Sequence, residues 1–505
     1  MRFLPKKIKV ALGSRGPFLG DIDLALSKYT VPIEDLDTHI YVVGRSGKGK
    51  SKFLEGLLWQ LIASGQGCGL IDPHGDLANN LLKLLAYQPL GKRRQPWMSN
   101  PENANRVIYC EPGRTDYFIP MNMLTSSDSP YVVASNVIEA FQRTWSETLS
   151  AAPQFKNVAL HSLLLLIEQG QTLTELPWLL MDKEYRDNLL KRSQNQEVIA
   201  FFRQRFEKWG SDQVLRIESL LNKVTALTLN ESLKQMLGED ENRLDMRGIM
   251  DSGKILIVNL GTSDHETRDL LGSLLTVSIE QAALSRVEIE EKERRPWFCV
   301  LDEFQKFVAN EGSAQVLAQM LSEVRKMGLR LCLAHQGWHQ LGNTRLEGAL
   351  DQAQIKIVFG SGTKTGRVVA EELFVPDPDK IKHEAPNEQS HPYYESLLEQ
   401  KEMFVQAIRN QKRREVFILP PESNQVVALK TLTIPNPAVG REELEEIKVK
   451  LLKRVGKPVS AETSPMAMRN LAKENTGAQI PAGSVVRAAS DEELLNPSVV
   501  KRSWS

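Results

Sequence analysis

The sequence predicts an α/β protein with a mostly parallel, doubly wound central sheet, and three observations carry that prediction. Seven short apolar runs, Ile40 to Val43, Gly67 to Ile71, Val107 to Cys110, Ile255 to Leu260, Trp297 to Leu301, Leu329 to Ala334 and Ile355 to Phe359, lack the polar alternation of a half-exposed strand. Strands covered on both faces by crossover helices read this way. Helix-period segments separate the runs, as parallel strands require. Two runs end in punctuation that carries chemistry: a glycine-rich octet follows Val43 and the acidic pair Asp302-Glu303 follows Leu301. Open α/β sheets gather their ligands at such strand ends.

Along the chain, residues 1–35 form an N-terminal segment, and the α/β core is expected over 36–128 and 251–435. Between the third and fourth runs the pattern changes. Residues 129–250 show long helical periodicity, clearest in Pro153 to Gln169, Lys183 to Trp209 and Gln213 to Leu229. An all-α domain inserted into one loop of the sheet is the expectation. Glu402 to Ile408, Glu415 to Leu419 and Val426 to Leu432 are expected as antiparallel strands near the sheet edge. Residues 436–505 begin with a charged helix, Glu442 to Lys453, and end in a Ser-, Ala-, Gly-, Pro- and Asn-rich tail whose composition predicts disorder.

Lys plus Arg and Asp plus Glu each number 63 among 505 residues, so the formal net charge is zero. That balance excludes a molecule basic over its whole surface. Any DNA contact must come from local patches, and Lys92-Arg93-Arg94 and Lys412-Arg413-Arg414 are the candidates. Cys68, Cys110, Cys299 and Cys332 are scattered without Cys-x-x-Cys spacing and read as buried apolar residues of a reducing compartment. No segment approaches the roughly 18–20 apolar residues of a membrane span, and no signal-peptide core follows the basic N terminus. The expected location is the cytoplasm.

The octet Gly44-Arg45-Ser46-Gly47-Lys48-Gly49-Lys50-Ser51 fills every fixed position of the Walker A pattern between a strand and a helix. Its glycines let the backbone N–H groups close around phosphates, and the helix beginning near Lys50 turns its positive end toward the same charge. Lys50 is expected to reach the β- and γ-phosphates of ATP, and the Ser51 hydroxyl to ligate Mg²⁺.

Hydrolysis needs a second set of groups. Asp302, at the carboxyl end of an apolar run, suits the Walker B role of holding Mg²⁺ through water, and Glu303 is placed to polarise the attacking water. Gln336, after Leu333-Ala334-His335, brings a neutral amide beside Glu303 and is a candidate sensor of the γ-phosphate. Arg325 ends the helix expected over Ala314 to Val324 and is the candidate arginine finger for a neighbouring subunit, with Arg367 the weaker alternative. Asp72-Pro73-His74-Gly75-Asp76 closes the second run, on a strand expected next to the P-loop strand; its acids either line the nucleotide cleft or form an ordinary strand-to-helix turn.

Together these motifs resemble the RecA-like motor family of type IV secretion coupling proteins, FtsK-type translocases and HerA-like helicases, and most strongly the coupling proteins, the DNA-transfer ATPases of conjugation. The resemblance rests on Gly44 to Ser51, Ile71 to Asp76, Ile119 to Leu124, Lys254 to Leu260, Leu301 to Phe304 and Arg325-Lys326 through Gln336, and runs from about residue 36 to about 420. It implies that Lys50 and Ser51 bind nucleotide and Mg²⁺, that Asp302 and Glu303 drive hydrolysis, that Gln336 senses the γ-phosphate, and that Arg325 acts in trans within a homohexamer whose pore passes DNA. Secretion-channel or relaxase partners are implied too. Many coupling proteins begin with transmembrane helices that this sequence does not show, so any inner-membrane association is expected through partners. Two other jobs stay open: a HerA-like motor in DNA repair or phage defence, and a nucleotide-gated assembly scaffold.

Overall fold

A computed structural model of the chain describes residues 9–14, 28–87, 96–126, 129–144, 154–229, 231–307, 311–338, 341, 344–380, 395–421, 423, 425–437 and 439–459. The expected disordered tail from residue 460 onward and Lys92-Arg93-Arg94 lie outside the described residues.

The strands in chain order are β1 (Lys9–Ser14), β2 (Lys28–Pro32), β3 (Ile40–Val43), β4 (Gly67–Asp72), β5 (Val107–Cys110), β6 (Tyr117–Phe118), β7 (Ile255–Asn259), β8 (Trp297–Leu301), β9 (Leu329–His335), β10 (Ile355–Phe359), β11 (Glu415–Leu419), β12 (Val427–Lys430) and β13 (Lys457–Pro458). Eleven of them form one sheet in the order β2-β1-β12-β11-β10-β3-β9-β8-β4-β7-β5. Every neighbouring pair from β10 to β5 is parallel. Every pair from β10 outward to β2 is antiparallel.

The apolar runs become the parallel strands, buried along their whole length as two-sided burial requires. At the sheet centre Trp297 is fully buried and donates its indole N–H to the Lys254 carbonyl at 3.0 Å. Its ring lies over Gly69 of the adjacent β4, where any Cβ would overlap the indole. Glycine is the residue that permits this approach.

Between β6 and β7 the main elements are helices, among them Pro130–Thr144, Phe155–Glu168, Lys183–Arg192 and Gln213–Leu229. Because β5 and β7 pair directly, Val107 against Ile255, this whole stretch lies within one connection between neighbouring strands. The helical stretch Lys183 to Trp209 comes as several consecutive helices. Asn195 accepts from the N–H groups of Glu197 and Val198 and starts a new helix, Gln196–Ala200. The helix Arg441–Val455 buries Leu444, Leu451 and Leu452 and also Lys448, whose ammonium donates to Glu111 at 3.1 Å. Its charged outer face hides a packing face.

Three sequence expectations change. Glu402 to Ile408 is helix, not strand: Ser396 and Glu399 form a capping box ahead of Leu397–Asn410, and Gln400, Val405 and Ile408 are the buried positions. Residues ahead of β3 also contribute β1 and β2 to the antiparallel side, where Val10 and Leu12 point inward. Finally, β4 does not adjoin the P-loop strand; it pairs with β8 and β7.

His39 enters β3 with φ +59° and accepts from the Leu331 N–H at 3.0 Å through Nδ1. Burial first, then the Arg325 charge, lowers its pKa from 6.5 to about 4. The unfolded chain therefore binds this proton first, and the stability that neutral His39 supports is lost as pH falls from 6.5 toward 4, by up to about 1.4 kcal/mol per pH unit. Asparagine tolerates left-handed φ and keeps an acceptor. Urea denaturation should show His39→Asn losing less stability than wild type between pH 7 and pH 5. Identical losses would contradict the account.

Candidate active site

The octet turns out of β3 between two strands that hold it. Gly44 donates its N–H to the His335 carbonyl at 3.3 Å, and Arg45 to the Gly360 carbonyl at 3.0 Å. Gly47 and Gly49 stand at φ +78° and +112°, where a side chain would be strained. Gly49 begins the helix Lys50–Ala63, which no side chain caps, so the leading N–H groups and the positive helix end face the loop. Arg45, Ser46 and Ser51 are exposed. Lys50 is 6% exposed and curls back to donate to the Gly44 carbonyl at 2.6 Å.

Two strands away, β8 delivers the acids. Asp302 and Glu303 are 6% and 5% exposed. Asp302 donates its N–H to the Ile71 carbonyl at 3.2 Å and accepts from the Glu303 N–H at 3.1 Å. Glu303 has φ +49°, a left-handed conformation that costs a non-glycine residue roughly 1–2 kcal/mol. Its carboxylate accepts from Gln336 Nε2 at 2.8 Å and from Gln305 Nε2 at 2.5 Å. Gln336 follows β9, the strand between β3 and β8. The amide thus lies between octet and acids.

Charge ties the halves together. Burial lowers the pKa of Lys50, and the carboxylates of Glu303 and Asp302 oppose that shift. Burial, then Asp72, then Glu303 push Asp302 up to about 7, against the pull of Lys50. Asp72 ends β4 and accepts from the His74 and Ala78 N–H groups, both at 2.9 Å, and its charge acts on Asp302.

Arg325 lies in the turn before β9, at the far end of a seven-residue strand about 23 Å long. Its charge acts on Asp37 and His39, just ahead of β3. Arg367 is exposed and pairs with Glu402 at 3.6 Å. In the Lys412-Arg413-Arg414 cluster, a DNA-contact candidate from sequence, Lys412 and Arg413 are exposed, while the turn meets the octet at its ends: Lys48 Nζ donates to the Gln411 carbonyl at 2.6 Å, and the Arg414 N–H donates to the Lys48 carbonyl at 2.8 Å.

Three neighbours escaped the sequence reading. Gln305 and Lys306 occupy the turn directly after the acidic pair, and Lys306 contacts His74 Nε2 at 3.0 Å. The Gln411–Arg414 turn is more than 360 residues from the octet, a separation no local signal bridges. A cavity of about 390 Å³ lies elsewhere, between Met121, Asn136, Met246 and Gln281, without a comparable set of charges.

The donor set fits a hydrated, hard cation arriving with a nucleotide. Mg²⁺ prefers one or two carboxylates plus phosphate oxygens and water to an all-protein cage. Among the described residues no cluster of three or more His, Cys, Asp or Glu side chains forms such a cage. A raised Asp302 pKa marks a buried acid short of positive charge. Since the folded state holds that proton more tightly than the unfolded chain, Asp302 destabilises the fold increasingly as pH rises from 3.8 toward 7. Without metal or nucleotide, Asp302→Asn should raise the melting temperature, with a gain at pH 8 roughly two and a half times that at pH 5. An equal gain at both pH values would contradict this.

No curated protein matches the chain. Among solved structures, the plasmid coupling protein TrwB in complex with the non-hydrolysable GTP analogue GDPNP aligns with a TM-score of 0.53 at 17% identity, covering 81% of this chain and 89% of that one. TrwB in complex with ADP and Mg²⁺ aligns with a TM-score of 0.50 at 16% identity, covering 86% and 97%. VirB4 of Thermoanaerobacter pseudethanolicus aligns with a TM-score of 0.51 at 13% identity, covering 85% and 98%. At such identities the likeness is one of fold, and it makes this a RecA-like P-loop architecture. The family model described as "Helicase HerA, central domain" matches residues 24–279, just over half of the 505 residues, so the chain belongs to that HerA family.

Proposed function

We propose that the chain is an ATP-driven DNA translocase of the coupling-protein type, working as a homohexamer with ATP bound between subunits. The observation that carries the reading is the convergence of Lys50, Gln336, Asp302 and Glu303 at the carboxyl ends of three adjacent strands. In the related solved structure TrwB is complexed with ADP and Mg²⁺, which supports the same ligands here. The backbone of Gly44 to Ser51 cradles the phosphates, and Lys50 exchanges the Gly44 carbonyl for phosphate oxygens. Ser51 and Asp302 hold Mg²⁺, which when bound neutralises charge on the β- and γ-phosphates.

Glu303 takes the proton of the attacking water, and Gln336 reads the γ-phosphate. A scaffold that merely binds nucleotide has no use for the Asp302-Glu303 pair. Arg325, a strand length from its own site, can neutralise the transferring phosphoryl group only in a neighbour's. The α/β parts, 36–128 and 251–435, make the motor domain and 129–250 the helical insertion. Partners are DNA and, in conjugation, secretion-channel or relaxase proteins. The HerA family match favours a second setting for the same motor, DNA repair or phage defence.

No helix among the described residues is long and apolar enough to cross a membrane, so cytoplasmic action with membrane contact through partners is part of the proposal.

ATPase assays should show turnover stimulated by single- or double-stranded DNA, and Glu303→Gln should reduce it by about 100-fold or more. Turnover indifferent to every nucleic acid would refute the motor. Mixing Arg325→Ala with Lys50→Ala subunits, each inactive alone, should restore ATPase activity, because an intact Lys50 site then receives Arg325 from its neighbour. Mixtures as inactive as either variant alone would remove Arg325 from the neighbour's site.

A further inference from the structure

We propose that Gln305 is a positioning residue for hydrolysis, the fixed half of a two-amide clamp on Glu303 whose other half, Gln336, is exchangeable. The inference rests on Glu303 acting as the base. Both oxygens of its carboxylate are engaged: Oε1 accepts from Gln336 Nε2 at 2.8 Å and Oε2 from Gln305 Nε2 at 2.5 Å. Each carboxylate oxygen keeps a lone pair beside its amide N–H, but that bond draws charge from the oxygen and lowers its basicity, so release of one partner favours proton transfer.

The two amides differ in what holds them. Gln305 belongs to the short turn Phe304–Phe307, anchored by the buried rings of Phe304 and Phe307, by the Lys306 N–H on the Glu303 carbonyl at 3.0 Å, and by Ser273 Oγ on the Phe307 carbonyl at 3.4 Å. Moving it means dismantling that turn. Among the described residues its own Oε1 meets no donor, and its amide N–H goes to Glu303. Gln336, by contrast, lies just past the end of β9, followed by Gly337, on the octet side of the carboxylate. A γ-phosphate in the octet offers its amide a more strongly charged acceptor.

Exchange of Gln336 from Glu303 to the γ-phosphate frees Oε1, while Gln305 keeps Oε2 and the orientation of the group. Water then bonds through its oxygen to the γ-phosphorus as the bond from phosphorus to the bridging oxygen breaks. ADP leaves with that electron pair, and the water proton passes to Glu303 Oε1. The left-handed φ of +49° at Glu303 makes a second anchor necessary, because no helix or strand fixes that residue's direction.

Steady-state ATPase kinetics and fluorescent-ADP binding on wild type, Gln305→Ala and the nearly isosteric Gln305→Met test this. Loss of the amide should lower kcat roughly 10- to 100-fold, the scale of a misdirected catalytic group, with KM and ADP affinity within twofold of wild type. Wild-type kcat in either folded variant, or a kcat above it, would overturn the inference while leaving the ATPase intact. If Gln305→Ala fails to fold, Gln305→Met decides alone. A wild-type protein with no turnover would instead refute the base role of Glu303, and this inference with it.

Discussion

The parallel register of β3, β9 and β8 is the constraint on which the rest of the site depends. Val43 pairs with His335, and Leu301 pairs with Leu333, so Asp302 and Glu303 rise to the level at which the octet begins and β9 ends. No single segment contains the site. A one-residue slip of β9 would turn Gln336 to the opposite face and separate the octet from its acids. Dense two-sided burial protects that register, with Trp297 seated over Gly69 in the strand pair behind β9. The helical stretch lies within the single connection between β5 and β7, and the helix Arg441–Val455 packs against β5, at the sheet edge away from β3.

The same geometry concentrates unfavourable electrostatics. Asp72, Asp302 and Glu303 meet in a buried site where the ammonium groups of Lys50 and Lys306 offset only part of their charge, and burial first, then the neighbouring acids, makes Asp302 hold its proton to about pH 7. Glu303 adds backbone strain. Such local conflicts with stability are typical of sites prepared for a charged ligand. The bonds that Lys50 makes to Gly44, and Glu303 to two glutamines, hold these groups in the absence of phosphate. In the proposed cycle the Lys50–Gly44 and Gln336–Glu303 bonds are traded for bonds to the triphosphate while Gln305 keeps its hold on Glu303, so binding energy is spent on assembling the catalytic arrangement.

Much of this was legible because its signals are local. The octet states its conformation through Gly47 and Gly49, and fully apolar runs such as Trp297–Leu301 announce central strands. The acidic pair at a strand end needed only the rule that ligands gather there. What escaped depends on distant partners. Gln305 reads as an ordinary turn residue until the turn folds back on Glu303. The Lys412-Arg413-Arg414 run gives no local sign that its turn also meets the octet through Gln411 and Arg414. Leu397–Asn410 misleads because its apolar residues cluster closely enough to imitate a strand, and its capping box lies upstream of the window that suggested one. Asp72 was placed next to the wrong strand because sequence gives strand identity but not strand order.

The central claim is that Lys50 and the Asp302-Glu303 pair serve one magnesium-bound nucleotide. Calorimetric titration with the ATP analogue ADPNP, with and without Mg²⁺, tests it most directly. The account predicts that Mg²⁺ tightens binding to the wild type, that Lys50→Ala binds weakly under both conditions, and that Asp302→Ala binds with little dependence on Mg²⁺. Undiminished Mg²⁺-dependent binding by Asp302→Ala would contradict it.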